Sequence, residues 1–329
     1  MKEELFVSGR NIPFIDPVLH VWHWHIPLYL FLGGLAAGLI FFSAFSYLRG
    51  KEQIYPSAIK IAPLIAPIAI AIGLVALILD LKHPLYFWRL FTAFRLESPM
   101  SWGAWTLTVI FATSILWPLS YIKEIQEYFK ESKFWTAVFK PIVNMVEKIK
   151  LLSVIYEFSV KQRKALAWSN IFLSIILGVY TGILLSAFNA RPLWNTSILG
   201  PLFLTSGLST GAAAIMWIAK THIEKVNFSK IDLMLIAVEL FLIIHLFMGF
   251  MASSAVQIEA AQLFLGGEFT VIFWIGVVAM GLVFPAFLEI MELFGYKIPA
   301  SISALFILAG GLLFRFIMVD AGQITRYLY

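Results

Sequence analysis

The stretch WHIPLYLFLGGLAAGLIFFSAFSYL, residues 24–48, contains no Asp, Glu, Lys or Arg and decides the class of fold. A bilayer core about 30 Å thick is crossed by about 20 apolar residues in a helix. Similar stretches recur along the 329-residue chain, which is 60% hydrophobic and only 13% charged. A soluble protein carries about 25% charged residues. The sequence therefore predicts an all-α integral membrane protein.

The apolar stretches predict eight transmembrane helices, each close to the length that a bilayer requires. The predicted spans are Trp24–Leu48, Ser57–Asp80, Trp102–Tyr121, Leu166–Phe188, Leu199–Lys220, Lys230–Ser253, Glu268–Glu292 and Pro299–Asp320. Proline breaks the hydrogen bonds of a helix, so Pro63 and Pro67 predict a kink in the second span. Pairs of glycines four residues apart predict close helix packing at Gly34 and Gly38, Gly178 and Gly182, and Gly207 and Gly211.

One connection is long and basic, and it divides the chain into three parts of a single membrane domain. These parts are residues 1–121, with an N-terminal arm and three spans, the connection 122–165, and residues 166–329 with the other five spans. Apolar residues recur at helical spacing in the connection, which predicts one or two amphipathic helices on the cytoplasmic membrane surface. A solvated basic linker is the alternative. Its nine basic residues are Lys123, Lys130, Lys133, Lys140, Lys148, Lys150, Lys161, Arg163 and Lys164.

The distribution of Lys and Arg predicts the orientation of the chain in the membrane. These residues are more numerous after the first, third, fifth and seventh spans, mainly because of the long connection. Positively charged loops favour the cytoplasmic side of a membrane. Both termini are therefore predicted to lie on the outer side of the cytoplasmic (inner) membrane. The net charge of +5 thus reflects the orientation of the chain in the lipid bilayer, and nucleic acid is not expected as a partner.

The supply of metal ligands in this sequence is poor. There is no cysteine, so thiolate ligands for an iron–sulfur cluster are missing from the sequence. Among the six histidines, only His245 falls well inside a predicted span, whereas a membrane cytochrome with two haems needs four such ligands. The sequence therefore predicts no haem, no iron–sulfur cluster and no metal in this protein.

Polar and aromatic side chains crowd at the predicted outer ends of four spans. A quinone headgroup needs hydrogen-bond donors for two carbonyl oxygens, a route for protons and apolar walls, and these residue types supply them. The alternative is that the aromatic residues form a generic interfacial belt and that the histidines are solvated. The candidate quinone-binding residues are His25, Asp80, Trp102, Tyr180, Arg191, Trp194 and Asn195.

Two ionisable residues, Glu239 and His245, lie deep inside the sixth predicted span. Groups of this kind are costly in a bilayer and mark proton or ion pathways by default. They could be steps of a proton relay, or a structural pair that bonds neighbouring helices. A proton- or ion-coupled transporter is an alternative function, but the broken midplane helices and paired repeats of transporters are not evident in the sequence.

Several motifs, in this order and spacing, resemble the NrfD/PsrC family over nearly the whole chain. This family comprises the membrane subunits of polysulfide reductase-like and related respiratory complexes. The motifs are WHWHIPLY at 22–29, FLGGLAAG at 31–38, DLKHP at 80–84, SPMSWG at 98–103, YTGILL at 180–185, RPLWNT at 191–196, GGLLFR at 310–315 and AGQ at 321–323.

The resemblance implies two four-helix bundles and a quinone pocket near the outer face. It further implies that Tyr180 contacts the quinone with help from the first helix, where His25 and Tyr29 are the nearest candidates. A ferredoxin-like iron–sulfur subunit and a molybdopterin catalytic subunit would dock on the outer face. The complex could also pair as a homodimer.

The function expected from the resemblance is that of a quinone-binding membrane anchor without catalysis of its own. It would exchange electrons between menaquinol and the iron–sulfur subunit of a polysulfide or sulfur-compound reductase. Alternatives are the equivalent subunit of a nitrite reductase, a hydrogenase or another quinone-linked complex, and a purely structural anchor.

Overall fold

The computed structural model describes residues 22–93 and 95–326. Eight of its helices are long and apolar enough to cross a membrane, which confirms the predicted class and number of spans. The first 21 residues, most of the predicted N-terminal arm, lie outside the described part. The spans are His25–Leu48, Ser57–Asp80, Pro99–Leu119, Arg163–Ser186, Leu199–Ile218, His222–Met251, Ile272–Leu293 and Ala300–Ile324.

The eight spans form two bundles, which agrees with the arrangement that the resemblance implies. The first span packs against the second and fourth, and the third lies between the second and fourth. In the same way the fifth span packs against the sixth and eighth, and the seventh lies between those two. The bundles meet where the first span contacts the fifth and eighth, and where the fourth contacts the fifth.

Glycines bring the first and fifth spans into backbone contact at the junction of the bundles. A Cβ added to Gly38 would overlap the carbonyl oxygen of Gly207, and one added to Gly211 would overlap the backbone of Gly38. A Cβ on Gly182 would likewise overlap the backbone of Leu199, where the fifth span begins. The close packing predicted from the glycine spacing is therefore confirmed.

The second span is irregular where its prolines lie. It consists of a π-helical turn at Ser57–Ile61, a 3-10 turn at Ala62–Leu64 and an α-helix at Ile65–Asp80. Pro63 has no N–H to bond the carbonyl of Ile59 four residues earlier. Two other donors bond that carbonyl instead, namely Ser43 Oγ at 3.1 Å and Trp117 Nε1 at 3.2 Å.

The sixth span begins earlier than the sequence predicts, at His222 rather than Lys230. The hydroxyl of Thr221 caps it by accepting a hydrogen bond from the Glu224 N–H at 3.3 Å. The carboxylate of Glu224 is itself buried and accepts from the N–H of Ala58 at 2.7 Å. This bond joins the start of the sixth span to the start of the second.

The basic connection folds into three short helices, Ile122–Tyr128, Lys133–Lys148 and Lys150–Lys161. The middle helix buries Phe139, Val143 and Val146. Glu124 holds the connection to the first bundle through ion pairs with Lys60 at 2.5 Å and Arg163 at 3.2 Å. The amphipathic sequence therefore forms one helix more than predicted, packed against the bundle.

The two ends of the described chain lie on the same side of the molecule. The backbone N–H of Trp22 donates to Gln323 Oε1 at 2.7 Å, and Gln323 Nε2 donates to the Trp22 carbonyl at 2.9 Å. We call this the terminal side, and we call the opposite side, with the connection 120–162, the basic-loop side. The connections 81–98, 187–198 and 252–271 also lie on the terminal side.

Candidate functional site

Tyr29 and Tyr180 line the same narrow cleft inside the first bundle, towards the terminal side. The cleft has a volume of about 30 Å³, which is about the space of a single water molecule. Its walls are otherwise apolar and come from the second, third and fourth spans and the connection 81–98: Leu74, Leu77, Leu90, Phe91, Met100, Ala104, Leu107 and Leu184. Two phenol groups thus lie within a hydrocarbon surface.

Glycines on the facing spans position both tyrosine rings. The Tyr180 ring occupies the space beside Gly103, where an added Cβ would overlap both its Cζ and its hydroxyl. A Cβ on Gly73 would lie 3.4 Å from Cδ2 of Tyr29. The second and third spans therefore carry glycine where the rings from the first and fourth spans approach them.

A larger cavity of about 390 Å³ adjoins the cleft on the terminal side. It shares Leu90 and Met100 with the cleft, so these two side chains stand where the two spaces meet. The connection 81–98 forms most of its wall with two short helices, Pro84–Tyr86 and Arg89–Thr92. The lining residues that carry polar side chains are Lys82, His83, Tyr86, Arg89, Arg95, Ser98 and Ser101.

His25 and Asp80 lie together one helical turn beyond the cleft. The His25 Nδ1 atom is 3.7 Å from Asp80 Oδ1, and the exposed His23 approaches the same oxygen at 3.9 Å. His25 precedes Tyr29 by one turn, and Asp80 follows the cleft residue Leu77 by one turn. The His25 Nδ1 atom is buried and has no hydrogen-bond partner among the described residues.

Trp102 lies beside the cleft but outside its lining. Its side chain is 52% exposed on the outer surface of the first bundle. Its indole N–H donates to the carbonyl of Leu96 at 2.9 Å, while Ser101 Oγ donates to the Ala93 carbonyl at 3.1 Å. Trp102 therefore holds the connection 81–98 that covers the site.

Arg191 is placed at the end of the eighth span, not in the cleft. Its Nη1 atom donates to the carbonyl oxygens of Gln323 and Thr325, at 2.9 and 2.7 Å. These carbonyls belong to the last turn of the eighth span and the residue after it. The guanidinium thus ties the connection 187–198 to the eighth span.

Trp194 and Asn195 belong to the same structural cluster. The buried indole of Trp194 donates to the carbonyl of Met318 at 2.7 Å and stacks on Trp22 with ring centroids 5.2 Å apart. The Asn195 carbonyl accepts from Gln257 Nε2 at 3.1 Å. The structure therefore divides the predicted site in two, with Arg191, Trp194 and Asn195 joining helix ends and Tyr29 and Tyr180 lining the cleft.

Glu239 and His245 point in different directions, as their spacing of six residues on one helix requires. Glu239 is 2% exposed and lies inside the second bundle, where it interacts with Arg315. His245 is exposed, and its Nδ1 atom contacts the carbonyl of Phe241 on its own helix at 2.8 Å. The structure does not bring these two residues together.

The second bundle also buries ionisable residues that the sequence did not single out. The side chain of Glu289, near the end of the seventh span, is 1% exposed. Asp232 is completely buried and accepts a hydrogen bond from Ser209 Oγ at 2.7 Å. The spacing of Asp232 seven residues before Glu239 puts both on one helix face, and this signal could have found it.

Within residues 22–93 and 95–326, no three His, Cys, Asp or Glu side chains come together in a way that could hold a metal ion. The polar groups are two phenols in the cleft, and an imidazole and a carboxylate one helical turn beyond it. They suit hydrogen bonding and proton transfer with an uncharged ring that carries oxygen atoms.

Comparison with known proteins shows a family match over nearly the whole sequence. Residues 14–326 match the family described as "Polysulphide reductase, NrfD". The protein is 34% identical to a subunit of the polysulfide reductase of Wolinella succinogenes, over 92% of its own length and 94% of that subunit. It is 32% identical to protein NrfD of Escherichia coli, over 93% and 96% of the two sequences. It is also 24% identical to a subunit of the selenate reductase of Mesobacillus selenatarsenatis, over 93% and 75%.

Proposed function

We propose, from the premise that this protein belongs to the NrfD polysulphide reductase family, that it binds quinol at the Tyr29–Tyr180 cleft. As the membrane subunit of a reductase complex, it would pass the electrons of the quinol to a partner subunit. The observation that carries this proposal is the pair of phenol hydroxyls that converge on one apolar cleft, next to a cavity of about 390 Å³.

The two spaces together suit the size and the chemistry of a quinone. Ligand pockets usually have volumes of about 300–1,000 Å³, and the larger cavity falls in this range. The cleft alone is too small for a ring, so Leu90 and Met100 must move for a headgroup to reach Tyr180. The apolar walls suit the ring and its tail, and phenol hydroxyls can donate hydrogen bonds to the quinone oxygens.

Proton transfer to the water on the terminal side is the role we assign to His25 and Asp80. A quinol that gives up two electrons also gives up two protons, which need an acceptor. The His25 imidazole can accept a proton, and the Asp80 carboxylate, 3.7 Å from Nδ1, stabilises the resulting positive charge. Exposed His23, close to the same carboxylate, continues the route towards solvent.

The partners in this proposal are a ferredoxin-like iron–sulfur subunit and, beyond it, a molybdopterin catalytic subunit. They would dock on the terminal side, because the quinone site opens there and the positive residues of the basic loop favour the cytoplasm. We favour menaquinol as donor and a polysulfide or sulfur-compound reductase as acceptor, in the cytoplasmic membrane. The similarity to a selenate reductase subunit keeps other terminal substrates as alternatives.

Binding of a short-tailed menaquinone analogue to the purified full-length protein in lipid nanodiscs tests the site. Tyr180→Phe removes one hydroxyl and should weaken binding roughly fivefold to tenfold, as expected for one hydrogen bond. Tyr296→Phe, at a 60% exposed position on the basic-loop side, is the matched control. Equal affinity of wild type and Tyr180→Phe would remove Tyr180 from the site.

A further inference from the structure

Besides Glu224 at the start of the sixth span, four ionisable side chains are buried among the described residues of the second bundle, away from the quinone cleft. Arg315 and Asp232 are 0% exposed, Glu289 is 1% exposed and Glu239 is 2% exposed. Such groups are expensive inside a membrane, and they persist when they pair or when they serve the movement of protons or ions. Their contacts show whether they form separate pairs or one continuous row of groups, which we call the line.

The line ends at Arg315, where the two bundles meet. Arg315 Nη1 donates to Ser206 Oγ at 2.5 Å, and Glu239 interacts with both Ser206 and Arg315. A Cβ added to Gly34 would lie 3.4 Å from Arg315 Nη2, so the guanidinium reaches the first span. The buried charge of Arg315 is thus balanced from the sixth span while it faces the first bundle.

Asp232 and Glu289 form a second contact, closer to the basic-loop side. The two carboxyl groups lie within hydrogen-bonding reach of each other. Ser209 Oγ donates a hydrogen bond to one oxygen of Asp232, and neither Glu289 oxygen has a donor among the described residues. Carboxylates only accept hydrogen bonds, so the two groups can bond only if one of them carries a proton. A proton shared by Asp232 and Glu289 is the arrangement that gives both carboxyl groups a hydrogen bond.

The two contacts are connected along the fifth and sixth spans. Asp232 and Glu239 are seven residues apart, which puts them on one helix face about 10 Å apart. Ser206 and Ser209, one turn apart on the fifth span, contact the Glu239–Arg315 pair and Asp232 respectively. Their hydroxyls can both accept and donate a proton, and they divide the distance into shorter steps.

The line opens on the basic-loop side. Glu292 follows Glu289 by one turn and is half-buried, near His222 and Lys225 at the start of the sixth span. Both of these neighbours lie where the fifth and sixth spans are joined, on the basic-loop side. Glu292 is therefore the member of the line that solvent can reach.

We propose that Glu292, Glu289, Asp232 and Glu239 form a proton-transfer path from the basic-loop side to Arg315 at the junction of the bundles. Each step moves one proton from a carboxylic acid to a carboxylate, directly or through a serine hydroxyl, and no electron is transferred. His245 has no part in this path, because it is exposed on the other face of the sixth span. Glu239 is thus coupled to Asp232 and Arg315 instead of His245.

Infrared spectroscopy of the purified full-length protein in lipid tests the path without quinone or partner subunits. We expect the carbonyl stretch of a protonated carboxylic acid at neutral pH, and a shift of this band soon after transfer to D₂O. Asp232→Asn and Glu289→Gln should each remove the band. His245→Gln, a change of an ionisable group on the same span, should leave it unchanged.

The rate of exchange separates a path from an isolated buried acid. Glu292→Gln should slow the shift in D₂O by about tenfold while the band remains, because it removes one proton carrier at the opening. A missing band in the wild type, a band that does not exchange, or equal rates in wild type and Glu292→Gln would overturn the proposal. The exchange measurements stand even if the Asp232 and Glu289 variants do not fold. Loss of quinone binding in Tyr180→Phe would not affect any of these outcomes.

Discussion

The Tyr180 ring occupies the space beside Gly103 that a β-carbon on the glycine would fill. The third span therefore has no side chain where the fourth span presents its phenol. Tyr180 is 8% exposed and lines the cleft together with Tyr29. The position of the proposed quinone-binding hydroxyl thus depends on the absence of one methyl group from a neighbouring helix.

Gly103→Ala should displace the Tyr180 ring from the cleft. The overlap involves the ring and its hydroxyl, so the phenol must rotate or the third and fourth spans must separate. We expect affinity for a menaquinone analogue to fall by at least the roughly fivefold to tenfold lost with one hydrogen bond. Gly249→Ala is the control, since the added carbon meets no atom within 4 Å beyond the backbone of its own helix. Unchanged affinity in Gly103→Ala would show that ligand binding does not require this position of the ring.

Replacing only one partner of the Arg315–Glu239 pair should destabilise the second bundle more than replacing both. Arg315→Met leaves Glu239 buried without its cation, and Glu239→Gln leaves Arg315 without its anion. A broken buried pair typically lowers stability by about 3–5 kcal/mol, and replacement of both charges by less polar groups is much less damaging. Thermal unfolding in one detergent compares the single variants with Arg315→Met/Glu239→Gln. Additive losses would mean that the two charges do not compensate each other.

Gly38→Ala should weaken the junction between the bundles. The new methyl group would overlap the carbonyl of Gly207, which belongs to a helix backbone and cannot rotate away. Overpacking of this kind usually destabilises a protein by about 1–3 kcal/mol. The midpoint of thermal unfolding should therefore fall in Gly38→Ala, while Gly249→Ala, at an open helical position where alanine is favoured over glycine, should not lower it. Equal midpoints for the two variants would refute a tight junction.

Ser43→Ala should destabilise the protein less when the second span supplies its own helical N–H to the Ile59 carbonyl. The Ser43 hydroxyl donates to the Ile59 carbonyl, which Pro63 leaves without its helical partner. Loss of this bond should lower the free energy of unfolding by about 1 kcal/mol. In a Pro63→Ala background the restored N–H should reduce that loss, and an equal loss in both backgrounds would contradict the compensation. Ser186→Ala, which removes a hydroxyl bond at an exposed helix end, serves as control.

The membrane fold was largely predictable because hydropathy reports each span independently of the others. The second span has the predicted bounds, Ser57–Asp80, even though its first turns are irregular. The early start of the sixth span at His222 was missed, because the polar residues before Lys230 read as a connection. Their burial, that of Glu224 among them, depends on contact with the second span, which hydropathy does not report.

The division of the candidate site could not be predicted, because it depends on which helix ends meet. Tyr180 and Arg191 are near in sequence, yet Tyr180 faces the cleft and Arg191 bonds the carbonyls at the end of the eighth span. The burial of Glu289 could not be read from the sequence for a related reason. It lies close to the end of its span, and only the packing of the sixth and seventh spans places it against Asp232.

The most direct test of the account is quinol-dependent electron transfer in the purified complex, with the wild type, Tyr180→Phe and Tyr296→Phe compared at equal subunit content. We predict that Tyr180→Phe lowers the rate by about tenfold or more, because one hydroxyl at the quinol is lost while the ring stays in place. Tyr296→Phe should keep the wild-type rate. An unchanged rate in an intact Tyr180→Phe complex would contradict the central claim and leave this protein as an anchor or place its quinone elsewhere.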